Sequence, residues 1–195
     1  MNSIRIISVM FIFVLFSNLF SVENKSFDVI SKSENFIKLN YSENDSFVNL
    51  KNKLTEHINS TSEFIGNISL PSHTTFYQIK DNEDLNVSYV VHDSYNESLD
   101  EFEINFEANS NVYPETNLII SEPMIFRGVV IKEITFIPYQ INFENNTIEV
   151  FNNVDINIEK IDNFENRNYA QVKLSKAFEP LYENMIINYE PSTRE

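Results

Sequence analysis

Cysteine and tryptophan are absent from this chain of 195 residues, and glycine occurs only at Gly66 and Gly128. Without cysteine the chain has no disulfide framework, no thiolate nucleophile and no thiolate metal ligand. Two glycines are too few for the loops that cradle phosphates in nucleotide-binding folds. Stability must therefore come from a hydrophobic core, and Asn and Ser must form most of the turns.

Basic residues are also scarce, because 14 Lys and Arg stand against 29 Asp and Glu, for a net charge of -15 at pH 7. Proteins that bind nucleic acid use clustered Lys and Arg to displace counterions from the phosphate backbone. We therefore expect no nucleic-acid partner. The acidity favours an exported chain, or one that binds a basic surface.

Residues that could carry enzyme chemistry are few. Histidine occurs only at His57, His73 and His92, and no serine lies in a Gly-x-Ser-x-Gly elbow. These histidines are expected in polar loops or at strand edges. The acidic stretches at residues 81–84 and 93–101 lack the central glycine of a calcium-binding loop. We expect no catalytic residue, no metal and no other cofactor in this chain.

Residues 1–21 have the pattern of a secretory signal peptide. Arg5 gives a short basic start, and an almost unbroken apolar run follows at residues 6–16. That run is short for a membrane span, which needs about 20 apolar residues. We expect export through this signal and no other membrane association, with an uncleaved signal anchor as the alternative.

Apolar and polar residues alternate through several segments, which is the period of strands with one buried face. The alternating segments are residues 102–106, 139–143 and 154–158, with weaker examples at 37–41 and 85–89. Residues 129–137 are apolar at both parities and predict a central strand. Asn145-Asn146, at hairpin spacing, predicts a type I′ turn.

One segment has helical spacing. Its apolar positions recur at i, i+3, i+4, i+7 and i+8: Phe178, Leu181, Tyr182, Met185 and Ile186. Pro180 is tolerated in a first turn, and Pro191 is expected to stop the helix. Many short strands joined by polar turns predict an all-β chain: an antiparallel, jelly-roll-like β-sandwich with a short C-terminal helix or arm.

Short motifs follow one another in a fixed order in the second half of the chain. They are Tyr113-Pro114-Glu115, Ser121-Glu122-Pro123 with Arg127-Gly128, Ile137-Pro138-Tyr139-Gln140, Ile148-Glu149-Val150-Phe151, Phe178-Glu179-Pro180-Leu181-Tyr182 and Asn188-Tyr189-Glu190. Their order, spacing and position behind a signal peptide resemble the pro-segment of gingipain-like cysteine peptidases, which are exported bacterial enzymes. The resemblance is clearest over residues 113–160 and 177–190.

The resemblance implies a β-sandwich pro-domain at residues 22–190, followed at 191–195 by the start of a linker to a catalytic domain. Such a segment helps the catalytic domain to fold and occludes its active-site cleft until cleavage releases it. The implied function is a non-catalytic inhibitor and folding aid, with the catalytic domain of a secreted cysteine endopeptidase as its partner. Arg194 lies in a polar tail of the kind that proteases cut, and is the processing candidate.

Seven residues are candidates for interface or scaffold positions: Tyr95, Leu99, Arg127, Tyr139, Phe178, Tyr182 and Tyr189. In the gingipain family that this chain resembles, a basic side chain from a pro-domain loop fills the specificity pocket of the protease. By order of segments that loop falls at residues 93–101, which contain no Lys or Arg. We therefore expect occlusion through Tyr95 or Leu99, or through the broad sandwich face. For Arg127, an ion pair within the sheet is favoured over a partner contact.

A function from another class fits the same composition. Aromatic-rich acidic β-domains are common outside cells, so a stand-alone adhesion or glycan-binding sandwich is the alternative. It predicts a folded protein that binds sugars or a host surface and has no effect on proteases. An enzyme in its own right lacks a nucleophile candidate.

Overall fold

The structure is a computed structural model that describes residues 27–42, 70–100, 111–162 and 176–189. The predicted signal peptide at 1–21, the alternating segment at 102–106, His57 and Arg194 lie outside these ranges. Within them the chain forms two antiparallel sheets and one short helix. No helix in the described ranges has the length and apolar character needed to cross a bilayer.

The described strands follow in this order: β1 (Asp28–Lys32), β2 (Phe36–Ser42), β3 (His73–Gln78), β4 (Glu83–Ser98), β5 (Val112–Tyr113), β6 (Leu118–Ile120), β7 (Met124–Phe126), β8 (Val129–Phe136), β9 (Tyr139–Asn142) and β10 (Thr147–Asp162). A 3₁₀ turn (Lys176–Phe178) then leads directly into the helix α1 (Glu179–Met185). The architecture is the all-β sandwich with a short C-terminal helix that the alternating pattern predicted.

β10 is the central strand of the six-stranded sheet. One of its edges pairs with β4 along its whole length, and the other pairs with β9 near its start and with β2 farther along. β1 and β5 extend the sheet beyond β2 and β9. The alternations predicted for 37–41, 85–89, 139–143 and 154–158 lie on these strands, and their apolar side chains are buried or half-buried in the core.

β8 is the central strand of the four-stranded sheet, with β3 on one edge and with β6 and β7 on the other. Ile134 and Phe136 pack in the main core against side chains of the six-stranded sheet. Val129 and Ile131 pack on the opposite side, in a cluster with residues of α1. Both faces of β8 are therefore covered, which confirms the central strand predicted from its apolar residues at both parities.

α1 begins as predicted, with Pro180 in its first turn, and it buries Tyr182 against the outer face of the four-stranded sheet. It ends at Met185 and not, as predicted, at Pro191. Ile186 is extended and forms a parallel bridge with Phe76, and the next N–H, of Ile187, donates to the Phe76 carbonyl at 3.0 Å. Pairing with the edge of β3 thus ends the helix earlier than the proline would.

The type I′ turn predicted at Asn145-Asn146 is wrong in its type, although the hairpin itself is present. Asn142 pairs with Thr147, so the loop has four residues, and only Asn146 among them has a positive φ, of 50°. The two-residue turn with two positive φ angles lies instead at Arg127 (49°) and Gly128 (93°), between β7 and β8.

Candidate partner-binding surface at the Arg127 hairpin

Arg127 lies at the tip of the β7–β8 hairpin, and its side chain is exposed. Phe126 pairs with Val129, so Arg127 and Gly128 make the whole connection. Two-residue connections of this kind use type I′ or II′ turns, and here both residues have positive φ, which glycine adopts freely and arginine does not. The turn therefore holds a charged side chain in an uncommon backbone conformation, at a sharp and exposed point of the sheet.

The guanidinium group of Arg127 lies over aromatic rings. Its central carbon is 4.1 Å from the centroid of the Phe178 ring and 5.8 Å from that of Phe126. Such cation–π contacts contribute about 0.5–1 kcal/mol at exposed sites. The ion pair expected for Arg127 is not formed with any acid in the described ranges, where its charge is met by these rings.

The helix fixes the backbone of the same turn. The hydroxyl of Tyr182 donates a hydrogen bond to the Arg127 carbonyl at 3.0 Å. Tyr182 is fully buried, and its ring lies 6.4 Å from that of Phe126 and 5.2 Å from that of Tyr189. The hairpin tip is therefore braced from below, and its position depends on α1.

Exposed apolar side chains precede the turn on β7. Met124 and Ile125 are 39% and 52% exposed. We call Met124, Ile125, Arg127 and Phe178 the hairpin patch. Its four side chains carry one positive and no negative charge, in a chain whose net charge is -15. Methionine, arginine and aromatic residues are enriched in protein interfaces, so this composition suits a protein partner.

Four of the seven predicted residues are buried in the described structure: Leu99 (2% exposed), Tyr139 (1%), Tyr182 (0%) and Tyr189 (9%). Leu99 and Tyr139 pack in one core cluster with residues of β9 and β10. Tyr182 and Tyr189 pack in another, between α1 and the four-stranded sheet. These four side chains offer almost no surface in the folded domain.

The inhibitory loop expected at residues 93–101 is strand as far as Ser98 in the described structure. Residues 93–98 belong to β4, where Tyr95 lies opposite Val150 and is half-buried against the Leu99 cluster. A paired strand does not enter the cleft of another protein as a loop does. Of the predicted contacts, Arg127 and Phe178 are thus the two that the structure brings together at a protruding surface.

A second polar cluster lies on the six-stranded sheet, centred on Asp155. The Asp155 carboxylate accepts hydrogen bonds from the Lys38 ammonium at 2.8 Å and from Asn40 at 3.1 Å, and it also pairs with the His92 ring. Lys38 is the main cause that lowers the Asp155 pKa to about 2; burial opposes it, and His92 and Asn40 reinforce it. The cluster joins β2, β10 and β4, which is a structural role.

Sequence reasoning did not identify Asp155, because an acid on the polar side of an alternating strand has the pattern of an ordinary surface residue. Its partners come from strands distant in sequence, and no local signal indicates them. His92, expected at a strand edge, lies on β4. No group of three or more His, Cys, Asp or Glu within residues 27–42, 70–100, 111–162 and 176–189 is placed to hold a metal ion.

Comparisons with known proteins give matches in structure alone. No protein-family model matches the chain, and no curated protein sequence matches it. Its structure matches a chain from the complex of the pro- and mature domains of RgpB from Porphyromonas gingivalis, with a TM-score of 0.56 and 16% identity, over 86% of this chain and 100% of that one. It also matches a structure that addresses the zymogenic latency of gingipain K from the same bacterium, with a TM-score of 0.51 and 13% identity, over 72% and 95% of the two chains. The chain has a gingipain-type pro-domain fold, as the order of its motifs predicted.

Proposed function

We propose that this chain is the non-catalytic pro-domain of a secreted gingipain-like cysteine endopeptidase, which it inhibits and helps to fold. The partner is the catalytic domain of that peptidase, and the chain reaches the cell surface or the medium through its signal peptide. The shared fold and the order of the motifs support this assignment. Processing at Arg194 belongs to the same proposal, because release of the catalytic domain requires a cut in the tail.

The hairpin patch is the observation that carries the inhibitory role. Arg127 is a cation at the tip of a tight turn, and Tyr182 fixes the backbone from which it projects. A basic side chain on a braced turn suits an acidic specificity pocket, since little conformational freedom is lost on binding. The hairpin tip thus replaces residues 93–101 as the inhibitory element, and a target protease that prefers Arg or Lys becomes the consistent partner.

The first experiment measures inhibition. Residues 22–195 are titrated against the gingipain-like catalytic domain encoded in the same genome, and peptide hydrolysis and thermal stability of the mixture are recorded. We expect loss of hydrolysis near a one-to-one ratio and a raised melting temperature, because a ligand of the native state stabilises it. No effect on either would reject the inhibitor and favour the adhesion or glycan-binding sandwich.

Substitutions of Arg127 test the contact itself. Arg127→Asn removes the charge while asparagine tolerates the positive φ, so the turn is kept. We expect its inhibition constant to rise by about 30-fold, the effect of losing about 2 kcal/mol at an interface hot spot, and Arg127→Lys to recover part of the loss. Lys176→Asn removes an exposed charge from the 3₁₀ turn that includes Phe178 and is the matched control. Equal inhibition by Arg127→Asn and wild type would place the contact on another face of the sandwich.

A further inference from the structure

A cavity of about 520 Å³ lies where the two sheets meet the C-terminal segment. Its wall includes residues of β1 and the turn after it, of β3, β4 and β10, and Asn188 after α1. The charged side chains around it are Lys32, Glu34, Lys80, Glu83 and Lys160. None of these five charged residues belongs to the ordered motifs of the second half of the chain or to the hairpin patch.

The balance of charge in this cavity is opposite to that of the chain. The whole sequence has 14 basic and 29 acidic residues, whereas the cavity has three lysines and two glutamates. A positive excess among the residues that line a concave place attracts anions to it. The cavity is therefore a candidate site for an anionic ligand.

Internal contacts account for one of the two glutamates. The Glu83 carboxylate lies 3.3 Å from the Lys160 ammonium and accepts a hydrogen bond from the Lys80 N–H at 3.1 Å. Its distance to the Lys80 ammonium is 4.0 Å, and that side chain is largely exposed. Glu83 is thus held by Lys160 and by the turn that leads into β4, and it leaves most of the Lys80 charge to the cavity.

Lys32 adds a second available cation. Its ammonium donates to the Ile187 carbonyl at 3.4 Å, a neutral acceptor, and none of the ion pairs in the described ranges includes it. With Glu83 compensated by Lys160, the remaining charges are those of Lys32, Lys80 and Glu34. One net positive charge is left, which attracts a carboxylate.

The wall of the cavity is fixed before any ligand arrives. Asn188 bonds to both backbone groups of Gln78, at 2.7 and 2.8 Å, and both residues line the cavity. Tyr77, which is buried in the same wall, has its pKa raised, first by burial and then by the charge of Glu83.

We propose that this cavity binds a carboxylate, either of a small free acid or of an acidic side chain in a peptide segment. Its volume lies within the range of about 300–1,000 Å³ that is usual for ligand sites. Its lining residues within the described ranges include no arginine fork and none of the helix N-termini that commonly hold phosphate. The proposal does not depend on the pro-domain function, since the charges and the wall are present in either case.

Calorimetric titration of residues 22–195 tests the site with two probes. One is citrate. The other is a tetrapeptide of Asp and Glu with both termini blocked, and the same peptide with Asn and Gln in their place is the neutral reference. Saturable one-to-one binding that weakens with salt is expected for one of them. Binding of citrate alone identifies a small free acid, and binding of the acidic peptide alone identifies a peptide segment. Absence of saturable binding by both probes overturns the proposal.

Charge variants locate the binding. Lys32→Gln with Lys80→Gln removes two exposed cations of the cavity, and we expect the affinity to fall at least tenfold with little change in melting temperature. The control is Lys176→Gln, which removes one exposed cation from the 3₁₀ turn, and the single variants Lys32→Gln and Lys80→Gln are compared with it. An equal loss of affinity in Lys176→Gln and in the single cavity variants would show a general charge effect and contradict the site.

Discussion

Asn188 pairs with Gln78 as the backbone of an additional strand would. Its side-chain oxygen accepts a hydrogen bond from the Gln78 N–H at 2.7 Å, and its amide nitrogen donates to the Gln78 carbonyl at 2.8 Å. Two residues earlier along β3, the Phe76 carbonyl accepts from the Ile187 N–H at 3.0 Å. The C-terminal segment thus satisfies backbone groups at the outer edge of β3, an edge that would otherwise invite pairing with another chain.

Replacement of Asn188 by alanine removes both bonds and leaves the Gln78 N–H and C=O without this partner. We expect the free energy of unfolding to fall by about 1–3 kcal/mol. Urea denaturation measures it, and hydrogen exchange at the Gln78 amide shows whether the edge has opened. Asn184→Ala, an exposed replacement within α1, is the matched control. An effect no larger than that of the control would mean that the amide pairing contributes nothing to stability.

The bond from Tyr182 to Arg127 can be separated from the packing of the ring. Tyr182→Phe removes only the hydroxyl, and we expect a cost of about 0.5–1.5 kcal/mol, because the Arg127 carbonyl lies at an exposed turn where water replaces the donor. Tyr182→Ala also removes a fully buried ring, at a cost of about 3–5 kcal/mol. Chemical denaturation gives both values. Equal losses in the two variants would contradict this division.

Gly128 is required by the turn, since its φ is 93°. We expect Gly128→Ala to reduce stability by about 1–2 kcal/mol, the steric cost of a Cβ in the left-handed region. Arg127→Gly is the matched change at the neighbouring position: it relieves a positive φ of 49° and loses the contact with Phe178. We expect these effects to cancel to within about 0.5 kcal/mol. Thermal unfolding of both variants checks the pair, and a stable Gly128→Ala protein would show that the turn adapts.

Local patterns were enough to predict the sandwich. The period of two marked β2, β4, β9 and β10, and the apolar residues at both parities of β8 predicted its two covered faces. The spacing from Phe178 to Ile186 located the helix. In each case one segment is enough for the prediction, because the spacing of its apolar residues indicates which of its faces are buried.

The turns and the candidate surface depend on pairing across the chain, which local patterns do not contain. The register of β9 with β10 gives their loop four residues, and Asn146 is held there by the Leu99 N–H, which donates to its carbonyl at 3.0 Å. The aromatic candidate Tyr139 faces the core, whereas Arg127 projects from a two-residue turn. No periodicity distinguishes these positions, because each depends on which strand lies alongside.

The Asp155 cluster makes stability depend on pH in an acidic range. Its pKa is lowered to about 2 from an ordinary value of 3.8, chiefly by Lys38. The unfolded chain therefore takes up a proton at Asp155 at higher pH than the folded chain does. The stabilisation is fully present above about pH 4 and is lost as the pH falls towards 2. We expect Asp155→Asn to cost stability at pH 7, and the difference from wild type to shrink through this window.

Lys38→Met provides the sharper test, because it removes the largest cause of the lowered pKa and keeps the Asp155 carboxylate. With burial left to act against His92 and Asn40, the pKa of Asp155 rises in the folded variant, and the loss of stability on acidification becomes smaller than in wild type. Urea denaturation at steps between pH 2 and 5 measures both curves. Lys176→Met, which removes an exposed lysine outside the cluster, is expected to leave the slope unchanged. If Lys176→Met flattened the curve as much as Lys38→Met, the pH dependence would reflect overall charge and not the cluster.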